Sequence, residues 1–146
     1  MKEYKGRVVV PGTCTAEALV SRNGFNTLAS FQMALMFNKK GVPCGDQNNP
    51  DINGKPMQGK ALCLPITIGS TTGGMILFTA CKMGKAPACM LFSESIDSLA
   101  ASGAIMGAVW SDTGMPVVDR LGPEFLEAVQ SGDTVTVLED GVVQIG

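Results

Sequence analysis

One stretch of the chain concentrates groups that could handle a small anionic molecule. Gly69-Ser70-Thr71-Thr72-Gly73-Gly74 follows a short apolar run, Ala61-Leu62-Cys63-Leu64, and precedes a longer one, Met75 to Met83. Read as buried strand, loop and buried helix, this order aims the first N–H groups of the helix at whatever occupies the loop. The three glycines let a ligand approach the backbone closely, and the three hydroxyls add donors. A helix N-terminus favours an anion by roughly 0.3–1 kcal/mol at an exposed site, so a carboxylate or phosphate is the expected guest. The same pattern also makes an ordinary helix cap, and the residues alone leave both readings open. It is not a GxxxxGK[ST] phosphate loop, because no lysine follows the glycines, nor a GxGxxG dinucleotide turn.

What the chain lacks narrows the chemistry further. It contains no histidine, which excludes a Ser-His-Asp or Cys-His nucleophile, a histidine-ligated zinc and a phosphohistidine carrier. The five cysteines, Cys14, Cys44, Cys63, Cys81 and Cys89, are widely spaced and form no CxxC pair. They are expected to be reduced, with Cys63, Cys81 and Cys89 acting as small core residues in apolar segments and no metal held by this chain. Net charge is −2 and no basic run exceeds Lys39-Lys40, so no nucleic-acid partner is expected. No apolar stretch reaches membrane-spanning length, and the charged start Met1-Lys2-Glu3-Tyr4-Lys5 is unlike a secretory leader. The expectation is a cytoplasmic chain with no membrane partner. Charged residues make up only 16% of it, below the usual quarter or so, which suggests a surface partly covered by another protein.

The elements that must position the loop follow from periodicity and turn chemistry, within one domain spanning 1–146. Arg7 to Val10, Ala16 to Val20, Ala61 to Leu64, Ala88 to Phe92 and Met115 to Val118 read as strands. Leu28 to Phe37 has mixed periodicity and reads as strand or irregular structure. Gly41 to Gly59 is rich in Gly, Pro, Asn and Asp and reads as a long surface loop, facing a partner, an active site or only solvent. Helices are expected from Met75 to Met83 with Gly84 as C-cap, from Leu99 to Trp110 with Ser95 or Asp97 as N-cap, and from Pro123 to Val129. Thr134 to Leu138 and Val142 to Ile145 flank Glu139-Asp140-Gly141 as a hairpin. The fold class is α/β, with a mixed sheet, a βαβ-like centre and a closing hairpin.

The run Gly69 to Gly74 and Gly84-Lys85-Ala86-Pro87-Ala88 together resemble the small swivelling domain of the aconitase X family of dehydratases. Ala18-Leu19-Val20-Ser21, Ser30-Phe31, Gly59-Lys60-Ala61-Leu62, Asp97-Ser98-Leu99-Ala100 and Gly103-Ala104-Ile105 extend the likeness in order along nearly the whole chain. The resemblance implies a swivelling β/β/α fold with a mixed sheet or barrel-like β core flanked by helices. It implies a hydro-lyase working with a large subunit that carries an iron or iron–sulfur centre, while this chain binds no cofactor by itself and is inactive alone. The serine after the first loop glycine maps to Ser70, implied as the base that removes the substrate proton. Gly69, Thr71, Thr72, Gly73 and Ser30 are candidate substrate contacts.

The chain also departs from the family. Ile68 stands where an arginine is frequent, Gly74 where a second serine is frequent, and Gln32-Met33-Ala34 where Trp-Gly-Gly is frequent. Family substrates include cis-3-hydroxy-L-proline and 5-phosphomevalonate. The nine methionines, five cysteines and Asn-containing loop are unlike a thermophilic composition and favour cis-3-hydroxy-L-proline. 5-Phosphomevalonate is the alternative, and a non-enzymatic swivelling module that binds an anion or a protein is the rival class.

Overall fold

A computed structural model describes residues 2–68, 72–110 and 115–146. Ten strands and four helices follow one another in this part of the chain. The strands are β1 (Lys2–Lys5), β2 (Arg7–Val10), β3 (Cys14–Val20), β4 (Phe25–Asn26), β5 (Ala61–Leu64), β6 (Thr67–Ile68), β7 (Cys89–Phe92), β8 (Val117–Asp119), β9 (Thr134–Val137) and β10 (Val142–Ile145). The helices are α1 (Thr27–Met36), α2 (Gly73–Lys82), α3 (Ser98–Trp110) and α4 (Pro123–Ala128).

Eight strands form one sheet in the order β1-β10-β9-β3-β5-β7-β8-β2. The centre, β3-β5-β7-β8, is parallel, and both flanks are antiparallel. β3 belongs to both halves, since Cys14–Glu17 pair with β9 while Ala18–Val20 pair with β5. The two edge strands, β1 and β2, are neighbours in sequence and joined by Gly6 alone, so the sheet curls until its edges nearly meet. A side chain at Gly6 has no room: a Cβ there would lie 2.3 Å from the Asp119 carbonyl oxygen. The result is the barrel-like core flanked by helices that the resemblance implied.

Alternation along the strands separates two cores, as a period of two requires. Ala61, Cys63, Cys89, Leu91, Val135, Val137 and Val143 point into the barrel, which Phe125 of α4 closes. Tyr4 packs edge-on against Phe125 at 5.6 Å between ring centres. Leu62, Leu64, Met90 and Phe92 point the other way and meet Phe31 of α1, Leu77 and Ala80 of α2, and Ala100 and Ala104 of α3. Full burial of each such aliphatic or aromatic side chain is worth roughly 1.5–3 kcal/mol. Cys63, Cys81 and Cys89 are buried, as expected of core residues, and so is Cys44.

Two sequence expectations change. The stretch from Leu28 to Phe37 is a helix, because Asn26 caps it through a bond from the Ala29 N–H at 3.0 Å and Phe31, Ala34 and Leu35 face the core. Gly41 to Gly59 is not a surface excursion. Val42, Ile52 and Met57 are fully buried against the helix-side core. The segment is pinned by the Gly45 N–H on the Ser30 carbonyl at 3.0 Å, by Asn49 Nδ2 on Ser21 Oγ at 2.9 Å, and by the Arg22 N–H on Asp51 at 2.7 Å. Its turn residues satisfy the backbone while a few apolar residues anchor it, a pattern that composition alone hides.

Candidate functional site

The parallel strands deliver three helix starts to one place. β4 runs into α1 at its cap Asn26, and β6 leads towards α2 through residues 69–71. β4 and β6 pair in parallel, Phe25 beside Thr67 and Asn26 beside Ile68, so the approaches to α1 and α2 are locked in register. Gly24 makes room for this, since a Cβ there would press on Ile68 Cγ2 at 2.9 Å. The third start belongs to α3. Asp97 caps it by accepting the Leu99 and Ala100 N–H groups at 3.1 and 3.0 Å on Oδ2, while Oδ1 accepts the Thr67 hydroxyl. One carboxylate therefore joins β6 to α3.

A cavity of about 270 Å³ lies where these starts converge. Thr27 comes from the first residue of α1 and Gly73 from the first residue of α2. Asp97, Leu99 and Ala100 come from the start of α3, and Thr67 and Ile68 close the wall. Behind it, the buried Asp119 accepts Arg7 Nε and Nη2 at 2.9 and 2.6 Å and the Ile96 N–H at 2.9 Å. The carboxylate raises the guanidinium pKa of Arg7 and fixes the residue that precedes Asp97.

Magnitudes decide what this cavity can do alone. Among the described residues, the only formally charged side chain in its lining is Asp97. Three helix N-termini, at roughly 0.3–1 kcal/mol each, supply about 1–3 kcal/mol for an anion, while even a millimolar Kd requires about 4 kcal/mol. The negative Asp97 subtracts from that sum. By this sum the helix starts could orient an anion, while holding one would take further positive charge.

The candidate residues divide as follows. Gly69, Ser70 and Thr71 lie outside the described residues. Gly73 lines the cavity. Thr72 is the N-cap residue of α2 and makes no side-chain capping bond to that helix, while its carbonyl accepts the Ile76 N–H at 3.2 Å. Ser30 does not line the cavity. It is fully buried and faces the Cys44 thiol, whose pKa burial raises and the Ser30 hydroxyl partly lowers. Thr27, Thr67 and Asp97 are the residues that sequence reasoning missed as site components. Asp97 was visible as a possible cap and as part of the resemblance but not as a site residue, and Thr27 was hidden by reading α1 as strand or irregular; the Asn-Thr pair before an apolar run was the available signal.

Among the described residues no three of His, Cys, Asp and Glu gather where a metal ion could be held. No helix among them is long and apolar enough to cross a membrane.

The family described as the aconitase X swivel domain matches residues 3–145. The phosphomevalonate dehydratase small subunit of Methanocella arvoryzae is 32% identical over 143 residues, covering 98% of this chain and 96% of that protein. The protein of the same name from Thermococcus onnurineus is 30% identical over 144 residues and 98% of each chain. Among solved structures, Thermococcus kodakaraensis aconitase X in its holo-form superposes with a TM-score of 0.83 at 27% identity, over 100% of this chain and 99% of that one.

Proposed function

The chain belongs to the aconitase X swivel-domain family, and from that premise we propose that it is the small subunit of a two-subunit hydro-lyase that dehydrates 5-phosphomevalonate. The observation that carries this reading is the convergence of three helix N-termini on one cavity. Such a site suits a doubly anionic substrate whose remaining charge is met by a partner. The names of the relatives, matched over nearly their whole length, support the phosphorylated substrate over cis-3-hydroxy-L-proline. The composition that favours cis-3-hydroxy-L-proline is Met, Cys and Asn content, which bears on temperature adaptation rather than on the ligand.

Loss of water from a 3-hydroxy acid breaks a C–H bond beside the carboxylate and the C–O bond at the next carbon. Ser70 takes the proton as general base. The N–H groups at the start of α2, together with Thr71, Thr72 and Gly73, orient the anionic end of the substrate. Ser30 acts from beneath, by seating α1 on Gly45 through its carbonyl. The leaving hydroxide is received outside this chain, by the large subunit. The iron or iron–sulfur centre that the resemblance implies finds no ligand set among the described residues, and no step here runs through it.

The test is co-expression with the large subunit encoded in the same genome, followed by assays on 5-phosphomevalonate and on cis-3-hydroxy-L-proline. Dehydration of the first at a kcat/KM at least tenfold above the second is expected. The reverse preference would restore the imino acid, and no turnover of either by a stable two-subunit complex would remove the enzyme reading.

A further inference from the structure

The outer face of α2 and α3 is apolar and exposed. The two helices lie side by side and run in the same direction. Gly74 touches Leu99 and Gly103 near their starts, Gly107 meets Cys81 further along, and Lys82 Nζ reaches the Trp110 carbonyl at 3.5 Å near their ends. On α3 the buried positions are Ala100, Gly103, Ala104 and Gly107. The opposite side carries Leu99, Ile105, Met106, Val109 and Trp110, and Met75 of α2 continues it across a groove of about 160 Å³. Val109 and Trp110 are each 69% exposed and Met75 is 61% exposed. No Asp, Glu, Lys or Arg occurs in α3, and α2 has only Lys82.

A solvent-facing helix ordinarily carries charge on its outer side. At ordinary side-chain areas these exposures leave on the order of 600 Å² of apolar surface on one stripe, at the top of the roughly 300–600 Å² seen for the largest patch on a monomer. Each partner in a stable interface contributes about 800 Å², so this stripe would form the greater part of one side. It is also continuous with the candidate site, because Leu99 lines both the groove and the cavity, while Gly73 and Gly74 stand at the two adjacent walls. A protein that reaches the cavity from its Leu99 wall crosses this stripe.

We infer that the α2–α3 stripe is the docking surface for the large subunit, which presents to it an apolar strip of low charge. This rests on the two-subunit reading above. The occupant is the large subunit rather than a second copy of this chain, because a second copy repeats the same cavity and brings it no cationic side chain from the described lining.

The test places a charge on the stripe away from the cavity, as Val109→Glu and Met106→Glu. Binding of each variant to the purified large subunit is measured by titration calorimetry, beside the melting temperature of the free chain and turnover of the assembled pair. Binding at least tenfold weaker than wild type, with melting unchanged and kcat recovered at saturating large subunit, is the expected result. Unchanged affinity in both variants overturns the assignment, and so does a wild-type chain that fails to bind the large subunit. Self-association of the free chain that the charges abolish, with large-subunit affinity unaffected, overturns it in favour of a second copy. A pair that docks through the stripe yet leaves 5-phosphomevalonate intact refutes the substrate reading while leaving the docking surface standing.

Discussion

Gly103 has its backbone against that of Gly74: a Cβ on Gly103 would fall 2.0 Å from the Gly74 carbonyl oxygen, and one on Gly74 would fall 2.3 Å from the carbonyl of Leu99. Neither neighbour is the end of a flexible side chain, so neither can step aside. This contact sets how closely α2 approaches α3, and with it the spacing of the two helix starts at the cavity.

Gly103→Ala and Gly74→Ala are each expected to destabilise the chain by at least about 1–3 kcal/mol, the usual cost of overpacking. Gly73→Ala meets Thr27 only at an ordinary 3.4 Å and should cost markedly less. Denaturant melts of the three variants check the order; equal losses would refute the close crossing.

Ser70→Ala in the assembled enzyme is expected to lower kcat by about 10²–10⁴, the typical contribution of a general base. KM should move little, because the N–H groups that orient the substrate remain. The N-cap residue of α2 is Thr72, so a role for Ser70 limited to capping would appear instead as a lower melting temperature with kcat intact. Thr72→Val on the same preparation is the comparison.

The Thr67–Asp97 link can be separated from the cap. Thr67→Val removes the hydroxyl that Asp97 Oδ1 accepts while leaving Oδ2 on the Leu99 and Ala100 N–H groups. It is expected to reduce kcat more than stability, since β6 leads in sequence to Ser70, the proposed base. Asp97→Ser keeps a capping oxygen and loses the link, and should behave like Thr67→Val. Asp97→Ala loses both and should cost a further 0.5–2 kcal/mol or so of stability. Equal kcat in all three and in wild type would show that the link positions nothing.

Thiol chemistry offers a check with a pH sign. A hydrogen bond with Cys89 lowers the Cys14 thiol pKa and raises that of Cys89. Burial raises Cys44, Cys63 and Cys81, and Cys14 alone is partly exposed. The thiolate is the reactive form, so Cys14 should be alkylated first and its rate should rise at a pH below that of a free cysteine. Mass mapping after brief iodoacetamide treatment of the native chain across a pH series measures this. Rapid labelling of Cys63 or Cys89 would contradict the barrel interior.

What the sequence determined by itself is local. The apolar runs Ala61 to Leu64 and Ala88 to Phe92 read as buried strands, and β5 and β7 lie there. Gly84 stops α2 with a positive φ of 70°, and Asp140-Gly141 turns the last hairpin, whose strands pair in the expected antiparallel register. The absence of histidine and the glycine-hydroxyl loop narrowed the chemistry before any fold was known. Tertiary structure decided the rest, because the remaining signals depend on residues distant in sequence. Phe31, Ala34 and Leu35 are a helix face only because a sheet lies beneath them, and Val42, Ile52 and Met57 are core only because that sheet leaves them a seat. The cavity joins Thr27, Thr67 and Asp97, which no local period relates. Asn26 meets Ile68, and Thr67 meets Asp97, because the neighbouring parallel strands β3, β5 and β7 deliver the segments that follow them to the same side of the sheet.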